Sequence, residues 1–167
     1  TQHVIVTSPM TAGELAKNFG VAADKITVAV PGTVKPASGS KTRNDIPHIL
    51  SVGSLTRRKG HDVLIAALKK LEDLEWRTTI VGSPHLDPAV ATALAQQIEA
   101  AKLSDRIILA GEFDELGAFY TQADIFALAS RYEGYGMVFA EALAYGLPIV
   151  ACKAGAVPDV VPSDAGI

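Results

Sequence analysis

From residue 45 onward, short segments that are apolar throughout alternate with segments whose apolar residues recur at helical spacing. A strand without a polar side needs cover on both faces, and a helix between consecutive strands makes the crossover that keeps them parallel. The alternation therefore predicts an α/β fold, a Rossmann-like parallel sheet with helices on both faces. The predicted strands are 46–54, 76–83, 106–112, 124–130 and 147–155.

Two of the predicted helices have a recognisable apolar face. The first spans 59–72, and its predicted core-facing residues are Val63, Leu64, Ala67, Leu68 and Leu71. The second opens at Asp87-Pro88, where the carboxylate can cap the first turn and proline removes an amide that would go unpaired. Its predicted core-facing residues are Val90, Leu94, Ile98 and Ala101. Further helices are predicted at 115–123 and from Gly136 onward.

The amino-terminal end shows the same alternation over a shorter length. Residues 3–7 and 25–30 have the composition of strands, and the helix between them is predicted to begin at Ser8-Pro9 and to end at Gly20. Residues 31–44 are rich in Pro, Gly, Ser and charged side chains, which is typical of a linker. The sequence thus predicts three parts: 1–30, the linker 31–44, and 45–167.

Charge and composition exclude several classes of function. A formal net charge of −3 argues against general binding to nucleic acid or to a membrane surface, since both need a basic field. No apolar run reaches the roughly 20 residues that span a bilayer. Cys152 is the only cysteine, so an intrachain disulfide is excluded, in keeping with a reducing cytoplasm. The chain opens without methionine or a secretory signal, and we expect it to be a fragment.

Two segments at the carboxyl ends of predicted strands can carry chemistry, because ligands of parallel α/β sheets bind where the strand-to-helix loops gather. The first is GSLTRRKG (53–60), in which Arg57, Arg58 and Lys59 precede a helix start at Gly60. Cations beside a helix amino terminus suit a phosphate or a diphosphate. For Arg57 and Arg58 a solvated charged loop is the alternative. The segment matches neither a P-loop nor a GxGxxG fingerprint.

The second segment is EGYGMVFAE (133–141). Its glycines allow a backbone to approach a ligand, and the amides at the following helix start form a second anion-binding end. A carboxylate one turn into that helix, Glu141, can accept from a vicinal diol such as a ribose, whereas Glu133 can accept from the hydroxyls of a sugar. An exposed helix glutamate and a surface loop residue are the bland alternatives. The apolar residues around Glu141 disfavour the first of these, because a buried carboxylate needs partners.

The two segments, with two others, resemble the retaining glycosyltransferases of family 4, the large group 1 family. SRYEGYGMVFAEALAYGLPIV (130–150) resembles the E-x7-E region of that family, and VGSLTRRKG (52–60) resembles its G-R-L-x-x-x-K-G loop. DKITVAVPGTVKP (24–36) is similar to the passage from the amino-terminal domain into the linker. AGAVPDVV (154–161) is similar to the G-G-x-P-E turn. The resemblance runs through nearly the whole chain in the family's order.

The resemblance implies a GT-B architecture, in which two Rossmann-like domains face each other across a cleft. Residues 1–30 would be the last β-α-β piece of the amino-terminal domain, and 45–167 a donor-binding domain that is incomplete at its carboxyl end. The missing domain would bind the acceptor, a glycan, a lipid or a small molecule. The family members are hexosyltransferases that retain the anomeric configuration, and we expect no transfer by this chain alone. The implied location is cytoplasmic, with contact to the inner face of the membrane open only through the missing domain.

The resemblance also implies roles for single residues. Lys59 would bind the donor diphosphate and stabilise its charge as the bond to the sugar breaks, and Glu133 would hold sugar hydroxyls; these two are the expected catalytic residues. Glu141 would bind the ribose of a UDP-, GDP- or ADP-sugar, without a cofactor or a metal. The full set of expected donor-binding residues is Gly53, Ser54, Arg57, Arg58, Lys59, Glu133, Gly134, Tyr135, Gly136, Met137, Val138 and Glu141.

The sequence departs from the family pattern at several positions. Ser54 stands where the family has an arginine, and Arg57 or Arg58 is the candidate to replace it. Ala129 stands where proline is usual, and Ala156 and Asp159 replace a glycine and a glutamate of the G-G-x-P-E turn. His48, His61 and His85 carry no motif and are interpreted as structural. Two alternatives stay open: a nucleotide-sugar epimerase of similar fold, and a non-catalytic nucleotide-binding α/β module.

Overall fold

The computed structural model describes residues 2–34, 36 and 44–166. The predicted linker 31–44 lies largely outside the described residues. Strands and helices alternate along the described chain, as the sequence predicts. They are β1 (Val4–Val6), α1 (Pro9–Phe19), β2 (Ile26–Val28), β3 (His48–Val52), α2 (His61–Lys69), β4 (Arg77–Val81), α3 (Pro88–Ala100), β5 (Ile107–Gly111), α4 (Gly117–Gln122), β6 (Ile125–Leu128), α5 (Met137–Ala144), β7 (Ile149–Ala151) and α6 (Val157–Val160).

The strands form two parallel sheets. β1 and β2 pair with each other, and the other five strands form a sheet in the order β5-β4-β3-β6-β7. The chain first winds outward from β3 to β5 and then crosses to β6 on the other side of β3. In doubly wound sheets this reversal of direction creates a crevice outside the carboxyl ends of the two central strands. The predicted fold class is confirmed, and β3 and β6 flank the crevice.

Apolar side chains from the five-stranded sheet fill a core on each face. On β3, Leu50 and Val52 pack with Phe126 and Phe139 on one face, whereas Ile49 points to the opposite core. The alternation arises because successive side chains of a strand point to opposite sides. The first core is closed by α4, α5 and α6, and the second by α2 and α3. The predicted helical cover on both faces is therefore confirmed.

The buried face of α2 overlaps only in part with the predicted one, and Leu64 and Leu68 belong to both. Val63 and Leu71 are 43% and 45% exposed, and Ala67 is exposed as well, so the prediction of these three as core residues was wrong. The buried residues are His61, Leu64, Ile65 and Leu68, spaced i, i+3, i+4 and i+7. Residues 57–59 form a 3₁₀ turn, so α2 begins at His61 and not at residue 59. Leu71 lies beyond the end of the helix.

The predicted helix starts at Ser8 and Asp87 are confirmed. The Ser8 hydroxyl accepts from the Thr11 amide at 3.1 Å, and the Asp87 carboxylate accepts from the Val90 amide at 3.1 Å. Gly20 ends α1 in the left-handed conformation, with φ of 65°. The Ser8 and Asp87 side chains each pair a first-turn amide that has no partner within its own helix.

Among the described residues, no helix has the length and apolarity that a membrane span requires.

Candidate functional site

The loops that follow β3 and β6 are fastened together at the crevice. The Arg131 amide donates to the Arg58 carbonyl at 2.8 Å, and the Arg131 guanidinium donates to the Arg57 carbonyl at 2.6 Å. The same guanidinium makes a bidentate pair with the Asp62 carboxylate, at 2.9 and 2.7 Å. The hydrogen bond from Arg131 lowers the pKa of Asp62, and the pKa of Arg131 is raised in turn. The cationic loop and the glutamate loop therefore form one unit.

Close backbone contacts bring the loops of neighbouring strands together. Gly60 has φ of 67°, and a Cβ at this position would lie 1.9 Å from the carbonyl oxygen of Ala129. A Cβ on Gly82, after β4, would lie 1.9 Å from the carbonyl oxygen of Gly53, after β3. Such distances are impossible for any residue with a side chain. Glycine is therefore required at both positions for the strand ends to meet.

Lys59, Ser130 and Glu133 form a buried polar cluster in this unit. The Lys59 ammonium lies 2.7 Å from Oε1 of Glu133, and the Ser130 hydroxyl donates to the same oxygen at 2.6 Å. Arg58 lies 3.2 Å from Oε2. Glu133 is only 4% exposed and Lys59 9%. Because two cations face one carboxylate, the cluster keeps one net positive charge.

The surroundings of Glu133 favour its ionised form. Burial on its own raises the pKa of Glu133, but the hydrogen bonds from Lys59 and Ser130 and the charges of Lys59 and Arg58 outweigh burial and lower it. The carboxylate is thus held charged by three donors. A carboxylate has about four acceptor positions, so capacity for one further donor remains.

This arrangement differs from the expected division of roles between Lys59 and Glu133. The sequence predicts that Lys59 faces phosphate and Glu133 faces sugar, yet the two side chains are joined directly. A ligand hydroxyl would use the remaining acceptor position of Glu133. Ser130 was missed by sequence reasoning, although its position at the end of a predicted strand, three residues before the glutamate, was a usable signal. The surface-loop alternative for Glu133 was wrong, since the residue is buried.

The start of α5 lies next to the cluster. Gly136 is its N-cap residue, with φ of 93° and no side chain to bond the first-turn amides. The helix begins at Met137, as predicted, and the amides of Met137 and Val138 belong to its first turn. Such amides have no partner within their own helix and carry partial positive charge. The start of α5 can therefore bind an anion beside Lys59.

Glu141 lies one turn into α5, as predicted, and is half-buried. One carboxylate oxygen accepts from the Tyr120 hydroxyl at 2.8 Å. Burial, then the hydrogen bond and charge of Glu141, raise the pKa of Tyr120 above its ordinary value, so the phenol stays protonated. Tyr120 orients Glu141 while leaving one oxygen of the carboxylate to a ligand. Sequence reasoning missed Tyr120, because its contact with α5 depends on tertiary packing.

The remaining predicted residues divide between the crevice and its margins. Gly53 directly follows β3, and a Cβ there would lie 3.0 Å from the Lys59 side chain, so glycine makes room for the lysine. Ser54 is half-buried beside it. Of the two candidates to replace the missing arginine, Arg58 reaches Glu133, whereas Arg57 uses only its carbonyl and has an exposed side chain. The geometry therefore favours Arg58.

The turn before α6 supports Glu133 from behind. The Ala156 amide donates to the Glu133 carbonyl at 2.8 Å, and a Cβ on Gly155 would lie 2.2 Å from the same oxygen.

The His61 side chain bonds the loop that follows β3. Its Nε2 atom lies 3.0 Å from the Gly53 carbonyl, and burial lowers the pKa of His61. His61 is thus a buried neutral residue, in line with its structural interpretation. No group of three or more His, Cys, Asp or Glu side chains suited to a metal occurs in the described part of the chain.

A doubly wound sheet with a cationic cluster and an open helix start at its crevice defines a class of α/β proteins that bind anionic ligands there. Comparison with known families narrows this class. The family model described as "Glycosyl transferases group 1" matches residues 37–166. The chain belongs to the group 1 glycosyltransferase family.

Individual relatives agree with this assignment. The chain is 32% identical to D-inositol 3-phosphate glycosyltransferase of Paenarthrobacter aurescens, over 92% of the chain and 41% of that protein. A glycosyltransferase structure from Rickettsia africae superposes with a TM-score of 0.92 at 24% identity, over 99% of this chain and 48% of that one. Anabaena HepE in complex with UDP and glucose gives 0.87 at 24% identity, over 96% and 47%. The chain thus spans less than half the length of these proteins, and the solved neighbours share its GT-B half-domain fold.

Proposed function

We propose that the chain is the donor-binding half of a retaining glycosyltransferase of family 4, which transfers a hexosyl group from a nucleoside diphosphate sugar to an acceptor. The observation that carries this proposal is the net-positive cluster of Arg58, Lys59 and Glu133 beside the uncapped start of α5. A diphosphate needs both cations and amide donors, and this crevice offers both within one rigid unit. Membership of the group 1 family and the UDP and glucose in the Anabaena structure support the same ligand class.

The proposed division of the chain follows from the same assignment. Residues 1–30 are the last β-α-β piece of the acceptor-binding domain, 31–44 the linker, and 45–167 the donor domain. The separate pairing of β1 with β2 supports a boundary between these strands and the five-stranded sheet. The acceptor is held by residues outside this chain, so the 167 residues bind donor without transferring it.

In the proposed mechanism, the bond between the anomeric carbon and the diphosphate oxygen breaks, and the diphosphate gains negative charge. Lys59, Arg58 and the first-turn amides of α5 stabilise that charge, and they are positioned before the reaction begins. Glu133 holds Lys59 in place and uses its remaining acceptor position for a sugar hydroxyl. Glu141, oriented by Tyr120, accepts from the ribose. The acceptor oxygen forms the new bond to the anomeric carbon with the anomeric configuration retained, and the proton of the acceptor hydroxyl passes to the departing diphosphate oxygen.

Calorimetric titration of the chain with UDP, GDP and ADP and with their sugars tests this proposal. We expect one nucleoside diphosphate to bind, and Lys59→Ala to raise its Kd by at least about tenfold, since a charged hydrogen bond to phosphate is lost. Glu141→Ala should weaken the same ligand by about fivefold. Lys17→Ala, which removes an exposed lysine of α1, is the matched control.

Two results would count against the proposal in different ways. A folded chain that binds no nucleoside diphosphate refutes the donor-binding function. Binding that survives both Lys59→Ala and Glu141→Ala refutes the assigned site but leaves the ligand class standing.

A further inference from the structure

The first turn of α1 is in contact with the loop that carries Glu133. The Ser8 hydroxyl lies 2.8 Å from the carbonyl oxygen of Gly134, and the Thr11 hydroxyl lies 3.2 Å from the same oxygen. Ser8 is completely buried. The Ser8 oxygen also accepts from the Thr11 amide and lies 2.9 Å from the Thr11 hydroxyl, so the two hydroxyls and the Gly134 carbonyl form one hydrogen-bonded group. Two side chains of the amino-terminal piece therefore hold one carbonyl of the predicted sugar-binding loop.

A second contact joins α1 to the turn behind Glu133. The Met10 amide donates to the Asp159 carboxylate at 3.1 Å. Helix α1 has no acidic residue in its own first turn, so Asp159 supplies the negative charge that a helix amino terminus favours. The same turn also bonds the Glu133 carbonyl through the Ala156 amide. The start of α1 thus touches both segments that fix the backbone of Glu133.

A third contact lies one residue beyond Gly134. The Tyr135 hydroxyl lies 3.3 Å from the carbonyl oxygen of Pro31, which follows β2. The chain between Glu133 and Gly136 is therefore held on one side by its own domain and on the other by residues of the amino-terminal piece and by Pro31, the first residue of the predicted linker. These hydrogen bonds are more than packing contacts, because Gly134 and Tyr135 directly follow the buried Glu133 of the site.

We infer that the first turn of α1 is part of the donor-sugar site and that Ser8, Thr11 and Asp159 are positioning residues for the Glu133 carboxylate. The inference rests on the proposed function and deepens it. Within that function Glu133 contacts the sugar directly and affects the diphosphate only through Lys59, whereas Glu141 and the start of α5 bind the nucleotide. Loss of the α1 contacts therefore weakens the binding of a nucleotide sugar more than the binding of the bare nucleotide.

The test compares Kd values for UDP and UDP-glucose, GDP and GDP-mannose, and ADP and ADP-glucose, and follows the pair that the wild-type chain binds. Thr11→Val should raise the Kd of the nucleotide sugar, relative to that of the nucleotide, by about fivefold, the effect of one lost hydrogen bond. Thr11→Ser should restore the wild-type ratio. Asp159→Ala should act in the same direction, and Asp159→Asn, which can still accept from Met10, should recover most of the loss.

Thr92→Val is the matched control, because the Thr92 hydroxyl also donates to a backbone carbonyl but does so within α3. A ratio that Thr11→Val leaves unchanged, or Kd values that rise equally for nucleotide and nucleotide sugar, would overturn the inference.

Amide hydrogen exchange of 132–136 separates this inference from the proposed function, since it needs no ligand. We expect faster exchange there in Thr11→Val than in Thr92→Val. A wild-type chain that binds no nucleoside diphosphate refutes the proposed function. Unchanged exchange at 132–136 refutes the contact itself, whatever the chain binds.

Discussion

The Glu133 carboxylate accepts from Lys59 and Ser130 through one oxygen and pairs with Arg58 through the other. Removing one partner from a buried ion pair leaves the other charge without compensation. We expect Lys59→Met and Glu133→Gln each to lower the free energy of unfolding by about 2–3 kcal/mol. The double variant should lose clearly less than the sum of the two. Urea denaturation of the four proteins measures the coupling, and strictly additive losses would contradict it.

The loss of folding stability at acidic pH provides a separate check on the role of Glu133. Its pKa in the folded chain is lowered from 4.5, so its stabilising contribution is complete above pH 4.5 and disappears as the pH falls through the lowered value. Glu133→Gln should therefore show a shallower loss of stability in acid than the wild-type chain. Thermal melts between pH 3 and pH 6 would show this, and equally steep curves would rule the contribution out.

The proposal that Arg57 or Arg58 replaces the family arginine at Ser54 can be tested by comparing these two neighbours. Arg58 reaches the cluster, whereas the exposed Arg57 side chain does not. We expect Arg58→Gln to weaken nucleoside diphosphate binding by about fivefold to tenfold, and Arg57→Gln to change it by less than twofold. Each variant serves as the control for the other, since both remove one exposed positive charge. The reverse order would transfer the role to Arg57.

Sequence reasoning found the residue types of the site but not their partners. Lys59, Glu133 and Glu141 were marked because a cation or a carboxylate beside a glycine and a helix start has few other uses. The bond between Lys59 and Glu133 joins residues 74 positions apart, and it depends on β3 and β6 being neighbours. Tyr120 and Ser8 reach the site from other elements in the same way. Such pairings follow from tertiary packing, which local patterns do not contain.

At the scale of elements, two glycines in the same left-handed conformation allow strain and crowding to be separated. Gly20 ends α1 with open space around it, whereas Gly60 precedes α2 with a carbonyl oxygen 1.9 Å from where a Cβ would lie. Gly20→Ala should lower the free energy of unfolding by about 1 kcal/mol, the cost of the backbone conformation alone. Gly60→Ala should cost about 3 kcal/mol or more, because β6 must also move. Equal costs in chemical denaturation would show that the contact with Ala129 is unimportant.

The buried face of a helix was predicted more accurately where the first residue of that helix was also predicted correctly. At α3 the Asp87-Pro88 signal fixed the first turn, and the predicted core residues Leu94 and Ile98 are buried. At α2 the sequence offered Lys59 as a start, but the 3₁₀ turn over 57–59 delays the helix to His61. The predicted and observed buried faces share Leu64 and Leu68, but the observed face is centred nearer to Ile65 than to Val63.

At the scale of the whole molecule, the order of strands was not predictable. Apolar strands separated by helices indicate a parallel sheet, but the same pattern fits several orders of strands. The observed order β5-β4-β3-β6-β7 depends on the crossover from β5 to β6, which is packed across the face that α4, α5 and α6 cover. The family resemblance implied a Rossmann-like domain but did not specify the order of its strands.

The dependence of the chain's folding stability on pH should also reflect the protonation of His61. Burial lowers its pKa from 6.5 in the folded chain, so the unfolded chain takes up a proton first as the pH falls. Stability should be unaffected by His61 above pH 6.5 and should decline below that value. His61→Gln should flatten this decline in melting temperature, whereas His85→Gln, at an exposed position, should not. Parallel curves for the two variants would exclude His61 as the cause.

Three of the glycines described above touch the backbone of another segment at the crevice: Gly60 at Ala129, Gly82 at Gly53, and Gly155 at Glu133. At these three points the site is therefore built from contacts between main-chain atoms. A substitution there cannot exchange one side chain for another. For directed evolution, these three glycines are therefore poor positions to vary. A library that randomises the exposed residues His85 and Leu86 should keep most of its members folded, whereas one that randomises the three glycines should lose nearly all of them.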